Sequence, residues 1–473
     1  MNLSKKDIFW GYFAQFFNLG AGIIILPAIL HILSPEEVGL NYLMLTVSSL
    51  VALFDFGFAP QFGRNITYVL NGAQSLQKEG IDGPLLTEKK AEINYHLLAN
   101  MIQTAKSVYR RLAFIVLFFM LTFGLWYIYE VTNGFHTIDN VIIVWVIFSF
   151  SIYFNIYYTY YASLLTGSAK IKEAQEAVVY SKIVYILLIL ILLKLHAGLF
   201  GVVIANLVSP FVNRYLSYYW FFTKDYNEKL KGYSITTKEE YDLFLVIWHN
   251  AKKLGLVFIG SYSINKLSLF LAGLFLPLSL IGSYGLMIQL LAVVNTLAGT
   301  LFGINQPIFA SLRVKNETEL FLKKFSFNMN VYYLLFMLGS TFLLLFGSPV
   351  LELIHSKTVL PPAGIMILYV FILLLEGNHS SFATIIVINN NVPFVKASLI
   401  SGGLIALGSY LSLAYTSTGI LGLILVQGIV QLGYNNWKWP YCVCSNFNIS
   451  FFRFLILGMN ESIVKIKYLY GRL

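Results

Sequence analysis

The residue best placed to do chemistry in this sequence is a lysine inside a long uncharged stretch. Lys266 lies in the apolar run 254–276, about twelve residues after its start and therefore about 18 Å along a helix that rises ~1.5 Å per residue. An ionisable side chain at that depth in a membrane costs at least ~2.5 kcal/mol, so it needs a compensating environment. We expect Lys266 to face a water-filled interior and to bind an anion. An ion pair with an acidic residue elsewhere is the alternative.

Three further cations lie near the predicted inner ends of other apolar runs, namely Arg64, Lys182 and Arg214. Each could line a cavity, or its long side chain could reach the membrane surface. Asn265 and Gln289 add uncharged polar groups at membrane depth. They suit a hydroxyl-rich ligand, and hydrogen bonds between helices account for them equally well.

Acidic side chains also fall within apolar runs. Asp55 lies in the second run and Glu376 in the tenth, and His379 follows Glu376 by less than one helical turn. Residues three apart share a helix face, so Glu376 and His379 could form a proton relay. These three are the candidates for coupling to a proton or a sodium ion, and a structural ion pair is the alternative.

No pattern in the sequence indicates a metal, a cofactor or an enzyme. Cys442 and Cys444 form a lone pair with too few ligands for a structural zinc site. No P-loop, nucleophile elbow or metal-ligand spacing is present. We therefore expect no bound cofactor and no catalytic residues.

The elements that must position these residues are membrane-spanning helices. The chain has 473 residues, of which 58% are hydrophobic and only 11% charged, whereas a soluble domain is about a quarter charged. A soluble globule, a nucleic-acid-binding domain and a disordered scaffold are excluded. At ~20 residues per span plus a connection, the length allows about a dozen spans. The sequence predicts an all-α polytopic membrane protein with spans at 8–31, 37–60, 112–129, 140–165, 176–195, 198–222, 254–276, 279–305, 328–347, 363–388, 397–416 and 418–437.

The positive charges predict the orientation. The net charge is +10, and with the N-terminus inside, only Lys194 and Lys357 of the basic residues fall in outer connections. The opposite orientation would violate the positive-inside rule. Both termini are then cytoplasmic, and the first apolar run is expected to remain as a span rather than to be cleaved as a signal peptide.

A weak internal repeat predicts two six-helix lobes. Residues 38–45 resemble 281–288, and residues 198–203 resemble 419–424. Both pairs are six helices apart, which predicts a parallel repeat with the substrate path between the lobes. The predicted organisation is an N-terminal lobe at 1–222 with a cytoplasmic loop at 61–111, a cytoplasmic linker at 223–253, a C-terminal lobe at 254–440 and a cytoplasmic tail at 441–473.

The loop 61–111 contains apolar residues at helical spacing. These are Leu86, Ile93, Leu97, Met101, Ala105 and Val108, and they alternate with lysines and arginines. An amphipathic helix on anionic inner-leaflet lipid fits this pattern. A helix packed against neighbouring loops fits it equally well.

Several short motifs occur along the chain: LSPEEVGLNY at 33–42, DFGF at 55–58 with Arg64, Asn265-Lys266, GSY at 282–284, Gln306-Pro307 and GILG at 419–422. In these motifs the sequence resembles Wzx-type O-antigen and polysaccharide flippases of the multidrug/oligosaccharidyl-lipid/polysaccharide (MOP) exporter superfamily. Two features depart from that family. Asn265 replaces a frequent aspartate, and the loop after Arg64 is longer than usual.

The resemblance implies a flippase that moves an undecaprenyl-pyrophosphate-linked oligosaccharide from the inner to the outer leaflet of a bacterial inner membrane. It implies lipid-linked oligosaccharide as cargo, with membrane lipids, H+ or Na+ and the polysaccharide assembly machinery as further partners and no nucleic acid. Lys266 would bind the pyrophosphate, helped by Arg64, Lys182 or Arg214. A membrane-embedded polymerase or acyltransferase, a multidrug exporter of the same superfamily and a non-transporting scaffold are the alternatives.

Overall fold

The structure is a computed structural model that describes residues 5–78, 92–388 and 393–470. Within these ranges it contains helices, turns and connections and no strand. The chain divides into two compact units, Met1–Ile259 and Gly260–Leu473. The all-α fold predicted from the composition is confirmed.

The first unit contains nine helices and most of a tenth. Their bounds are α1 Lys5–Ile32, α2 Pro35–Val51, α3 Phe58–Leu70, α4 Tyr95–Leu121, α5 Phe123–Val131, α6 Val141–Gly167, α7 Ile171–Lys194, α8 Gly198–Phe221, α9 Lys224–Leu230 and α10 Thr237–Asn265. Helix α8 packs against α6 and α7, α1 packs against α7, and α6 also contacts α3 and α4.

The second unit begins within the last turns of α10. Its further helices are α11 Leu267–Ala272, α12 Leu278–Val314, α13 Thr318–Leu353, α14 Ala363–Ile388, α15 Val395–Tyr415, α16 Gly419–Gly433, α17 Asn435–Asn446 and α18 Phe451–Tyr470. Helix α13 packs against α12 and α18, α15 against α16, and α14 against α17.

The chain is a multi-pass membrane protein. In the described residues, nine segments are long and apolar enough to cross a bilayer. Residues Gly419–Asn446 and Phe451–Val464, which are bent by 74° at their junction, form a broken span or a re-entrant loop. The nine are Pro35–Asp55, Tyr95–Val131, Val141–Gly167, Ile171–Lys194, Gly198–Phe221, Leu278–Gln306, Thr318–Leu353, Ala363–Val387 and Val395–Tyr415. The parallel repeat between the two halves stays a prediction.

The second predicted span, 37–60, is not one continuous helix. Helix α2 begins with a capping box between Ser34 and Glu37 and ends at Val51. A short 3-10 turn then leads into two left-handed residues, Phe56 (φ 45°) and Gly57 (φ 77°). Arg64 therefore lies in the middle of a separate helix, α3, and does not close the second span.

The seventh predicted span is broken as well. Helix α10 ends at Asn265, and α11 is only six residues long. Lys266 stands between them with non-helical angles of φ −131° and ψ −29°. The residue singled out by its charge is thus also the point at which the helix is interrupted.

The described part of the loop 61–111 folds mainly as helix. Asn94 caps α4 by accepting a hydrogen bond from the backbone N–H of Leu97, and α4 continues from there into the apolar stretch that was predicted as a span. Met101 and Ala105 are buried in one core with residues of α3 and α6. The packed alternative therefore accounts for the described part of this segment, whereas Leu86 lies outside the described residues.

The predicted linker 223–253 packs onto the first unit. Leu243, Ile247 and Ala251 on α10 belong to the same buried core as α3 and α4. At the other end of the chain, the residues predicted as a tail contain α18, which packs on α13. Gly458 permits this approach, because a Cβ there would lie 2.4 Å from the carbonyl oxygen of Ser326.

Candidate functional site

Lys266 occupies the break between α10 and α11, and its backbone is hydrogen-bonded to both helices. Its carbonyl accepts hydrogen bonds from the backbone N–H groups of Leu269 (3.1 Å) and Phe270 (3.3 Å), while its N–H donates to the Tyr262 carbonyl at 2.8 Å. Its side chain is half-buried. Among the residues that the structure describes, no carboxylate lies within ion-pairing distance of the ammonium group. An ion pair, the alternative to an anion site, is thus not observed in that part of the chain.

The other two predicted ligand-binding residues of this unit, Asn265 and Gln289, have different surroundings. Asn265 is exposed, and its amide donates to the Ser261 carbonyl one turn earlier in α10. Gln289 is half-buried on α12, a helix that contacts α11. Asn265 and Lys266 together place an exposed amide and a cation at one helix break.

Glu376 is the most enclosed of the predicted acidic residues. It is 8% exposed, and it accepts a hydrogen bond of 2.7 Å from Nε2 of Gln427 on α16. Three tyrosines lie close enough to interact with its charge: Tyr284, Tyr332 and Tyr369. A buried carboxylate with one amide donor is suited to taking up a proton or a small cation.

The carboxylate and the helix break lie on helices that a third helix connects. Helix α12, which carries Tyr284, contacts both α11, the helix after Lys266, and α14, the helix of Glu376. Tyr284 packs edge-on against Tyr369 of α14, with ring centroids 6.5 Å apart. The two sites predicted separately in this unit are therefore joined through α12.

His379 does not share a hydrogen bond with Glu376 in the described structure. Its Nδ1 lies 2.7 Å from Oδ1 of Asn436 on α17, so its partner is on a different helix from Gln427. The relay expected from the spacing of Glu376 and His379 has no direct contact to support it.

Asp55 ends the 3-10 turn before α3. Its carboxylate oxygens lie 3.3 Å from the backbone N–H of Ala59, and the buried hydroxyl of Tyr109 on α4 donates a short hydrogen bond to it. Asp55 thereby caps α3 and ties it to α4. The carboxylate thus has a structural role in addition to its predicted role in coupling.

The three remaining cations belong to the first unit, and each has its own neighbour. Arg64 is exposed and donates to Oε1 of Gln61 at 2.5 Å. Lys182 is half-buried, with Nζ 4.5 Å from the ring centroid of Tyr185. Arg214 is exposed and lies 5.1 Å from the ring of Tyr158.

Several residues around Glu376 could not be identified from the sequence. Gln427 and Tyr332 are polar residues in largely apolar helices, and their spacing does not indicate which helix each side chain contacts. Gly377 carried a signal, because a glycine follows directly after the intramembrane glutamate. In the structure a Cβ at Gly377 would lie 1.7 Å from the Tyr332 hydroxyl, which donates to Oδ1 of Asn295 at 2.9 Å.

Sequence comparison identifies no relative of this chain. No protein-family model matches it, and no curated protein matches it either.

Comparison with solved structures shows the fold. An inward-facing multidrug-resistance MATE family transporter of the MOP superfamily aligns with a TM-score of 0.64 at 14% identity, over 92% of this chain and 95% of that chain. The lipid II flippase MurJ, in an inward closed conformation, aligns with a TM-score of 0.58 at 16% identity, over 99% of this chain and 93% of that chain. An outward-facing MATE transporter aligns with a TM-score of 0.51 at 14% identity, over 94% and 95%. The chain therefore has the fold of MOP superfamily transporters.

Proposed function

We propose that this chain is a flippase that moves an undecaprenyl-pyrophosphate-linked oligosaccharide from the inner to the outer leaflet. The fold supports a transporter, and one of the similar structures is a flippase of lipid II. The observation that carries the proposal is the position of Lys266, a half-buried cation at a helix break within an apolar segment. A pyrophosphate is the cargo group that such a cation would bind.

The other named residues extend the proposed site. Asn265 supplies an exposed amide beside Lys266, and Gln289 a further amide for sugar hydroxyls. Arg64, Lys182 and Arg214 are proposed as secondary contacts for the pyrophosphate. Of these, Arg64 and Arg214 are exposed and accessible to a ligand.

The mechanism we propose is alternating access by two six-helix lobes in a bacterial inner membrane, with both termini cytoplasmic. An inside-negative potential favours outward movement of an anion by ~2.3 kcal/mol per charge per 100 mV. Exchange of H+ or Na+ at Glu376 or Asp55 would supply further free energy for transport. Of these two, Glu376 is favoured because Asp55 already serves to cap a helix.

Leaflet transfer of the lipid-linked unit tests the proposal. Proteoliposomes with Lys266→Ala are expected to lose transfer by about tenfold or more, because a charge-assisted contact of ~1.5–3 kcal/mol is removed. Lys266→Arg should retain most of the activity. Lys194→Ala, which removes an exposed lysine at the end of α7, is the matched control and should transfer normally.

Unchanged transfer by Lys266→Ala at normal expression would show that Lys266 is not the anion site.

Two other functions predict different results. A multidrug exporter, which the MATE structures favour, would change drug sensitivity when the gene is deleted. A polymerase or acyltransferase would instead cause flipped but unprocessed units to accumulate in the deletion strain.

A further inference from the structure

A pocket of about 400 Å³ in the first unit is not used by the proposed transport site. Helices α4 and α10, the turn before α3 and the first residue of α3 form its walls. Phe56, Phe58, Leu112, Phe244 and Trp248 line it with apolar surface. Such a surface suits a hydrocarbon chain.

The aromatic rings give this pocket one flat wall. Trp248 stacks on Phe58 at 5.6 Å between centroids and 26° between planes, and Phe244 is almost parallel to Trp248 at 13°. Phe56 meets Trp248 at 74° and closes one side. A methylene group is about as large as a water molecule, which occupies ~30 Å³, so the volume fits a chain of about a dozen methylenes.

The polar end of the pocket carries a guanidinium. Arg111 lies 3.4 Å from a carboxylate oxygen of Glu240, which is a long contact for an ion pair, and its side chain is 68% exposed. Guanidinium groups have five N–H donors and favour phosphate as a partner. The exposed donors of Arg111 are accessible to a phosphate at the mouth of the pocket.

The pocket also lies at the right depth for a lipid. Arg110 and Arg111 are the last charged residues of α4 before the apolar stretch 112–121. The positive-inside rule places this junction at the inner leaflet. Basic pockets between helices at that level recognise lipid head groups.

We propose that this pocket binds an anionic phospholipid of the inner leaflet. One acyl chain occupies the aromatic slot, and the phosphate binds Arg111 at its mouth. The lipid then bridges α4 and α10. This site is independent of the transport function, because none of its residues belongs to the cargo or coupling sites proposed above.

Fluorescence quenching by a brominated lipid tests this site in the purified, delipidated full chain in detergent. Brominated phosphatidylglycerol is expected to quench part of the emission of the seven tryptophans, and Trp248→Phe should abolish that part. Arg111→Gln should raise the lipid concentration that gives half-maximal quenching by about tenfold. Brominated phosphatidylcholine should quench less than phosphatidylglycerol at the same mole fraction.

Arg110→Gln is the matched control, because Arg110 is an exposed neighbour that does not line the pocket. It should bind as the wild type does. Equal weakening by Arg110→Gln and Arg111→Gln would overturn the proposal in favour of diffuse attraction. Quenching that persists in Trp248→Phe would place the lipid elsewhere. Displacement by equimolar undecaprenyl phosphate would assign the pocket to the cargo and would also overturn the proposal. None of these readouts depends on transport.

Discussion

Nε2 of Gln427 donates a hydrogen bond of 2.7 Å to the buried carboxylate of Glu376. Both side chains are enclosed: Glu376 on α14 is 8% exposed and Gln427 on α16 is 5% exposed. Within the described residues Gln427 is the only side chain that donates a hydrogen bond to this carboxylate. The pair therefore joins α14 and α16 inside the second unit.

Replacing Gln427 with leucine is expected to destabilise the protein. A buried acceptor that loses a donor costs ~1–3 kcal/mol, and more when it is charged. The free energy of unfolding in detergent, measured with denaturant, should fall by about that amount. In Glu376→Gln the same leucine substitution should cost clearly less. Equal losses in both backgrounds would show that the two side chains do not interact.

Replacing Gly377 with alanine should also be destabilising, by ~1–3 kcal/mol, because the added methyl overlaps the Tyr332 hydroxyl in a packed interface. The melting temperature measures this loss. Gly364→Ala on the same helix is the matched control, since nothing lies within 4 Å of its Cβ position. Similar melting temperatures for the two variants would contradict the observed packing.

Replacing Tyr109 with phenylalanine removes the hydroxyl that donates to Asp55. The carboxylate keeps its contact with the Ala59 N–H but loses its partner on α4, so the unfolding free energy should fall by ~1–3 kcal/mol. Phe62→Leu changes the ring packing beside Tyr109 but keeps the Tyr109 hydroxyl, so it measures the effect of ring packing without loss of the hydrogen bond to Asp55. In an Asp55→Ala background, Tyr109→Phe should have little further effect, and a full additive loss would refute the pairing.

The stability of the cap at the N-terminus of α10 should depend on pH through Glu239, whose carboxylate accepts hydrogen bonds from Thr236. Hydrogen bonds from Thr236 hold the pKa of Glu239 below its ordinary value of 4.5, and His96 contributes further. Since the pKa is lowered in the folded state, the stabilisation is present above pH 4.5 and is lost as the pH falls through the folded value. The difference in melting temperature between wild type and Glu239→Gln should therefore shrink between pH 6 and pH 3.5.

Glu228→Gln removes an exposed carboxylate from α9 and is the control for net charge. Its melting temperature should follow the wild type at every pH. If the melting temperatures of the wild type and Glu239→Gln differ by the same amount from pH 6 to pH 3.5, the Thr236 contacts do not depend on the charge of Glu239.

The sequence by itself determined the class of this protein and its most unusual residues. Long uncharged runs require helices in a bilayer, because every backbone N–H and C=O must find a partner within its own segment. For the same reason Lys266 and Glu376 could be recognised without a structure, since a charge in such a run is costly wherever it points. Hydropathy is a local property, and it was sufficient for these conclusions.

Tertiary structure alone decided which residues meet. A helix that is apolar on all sides has no hydrophobic periodicity to indicate which face packs inward, so Gln427 could not be assigned to Glu376, nor Tyr109 to Asp55. The interruptions at Gly57 and Lys266 were likewise not indicated by hydropathy, because a break in backbone geometry does not require a change in side-chain polarity. The slot between Trp248 and Arg111 exists only because α10 folds back onto α4, which brings together residues that are more than a hundred positions apart.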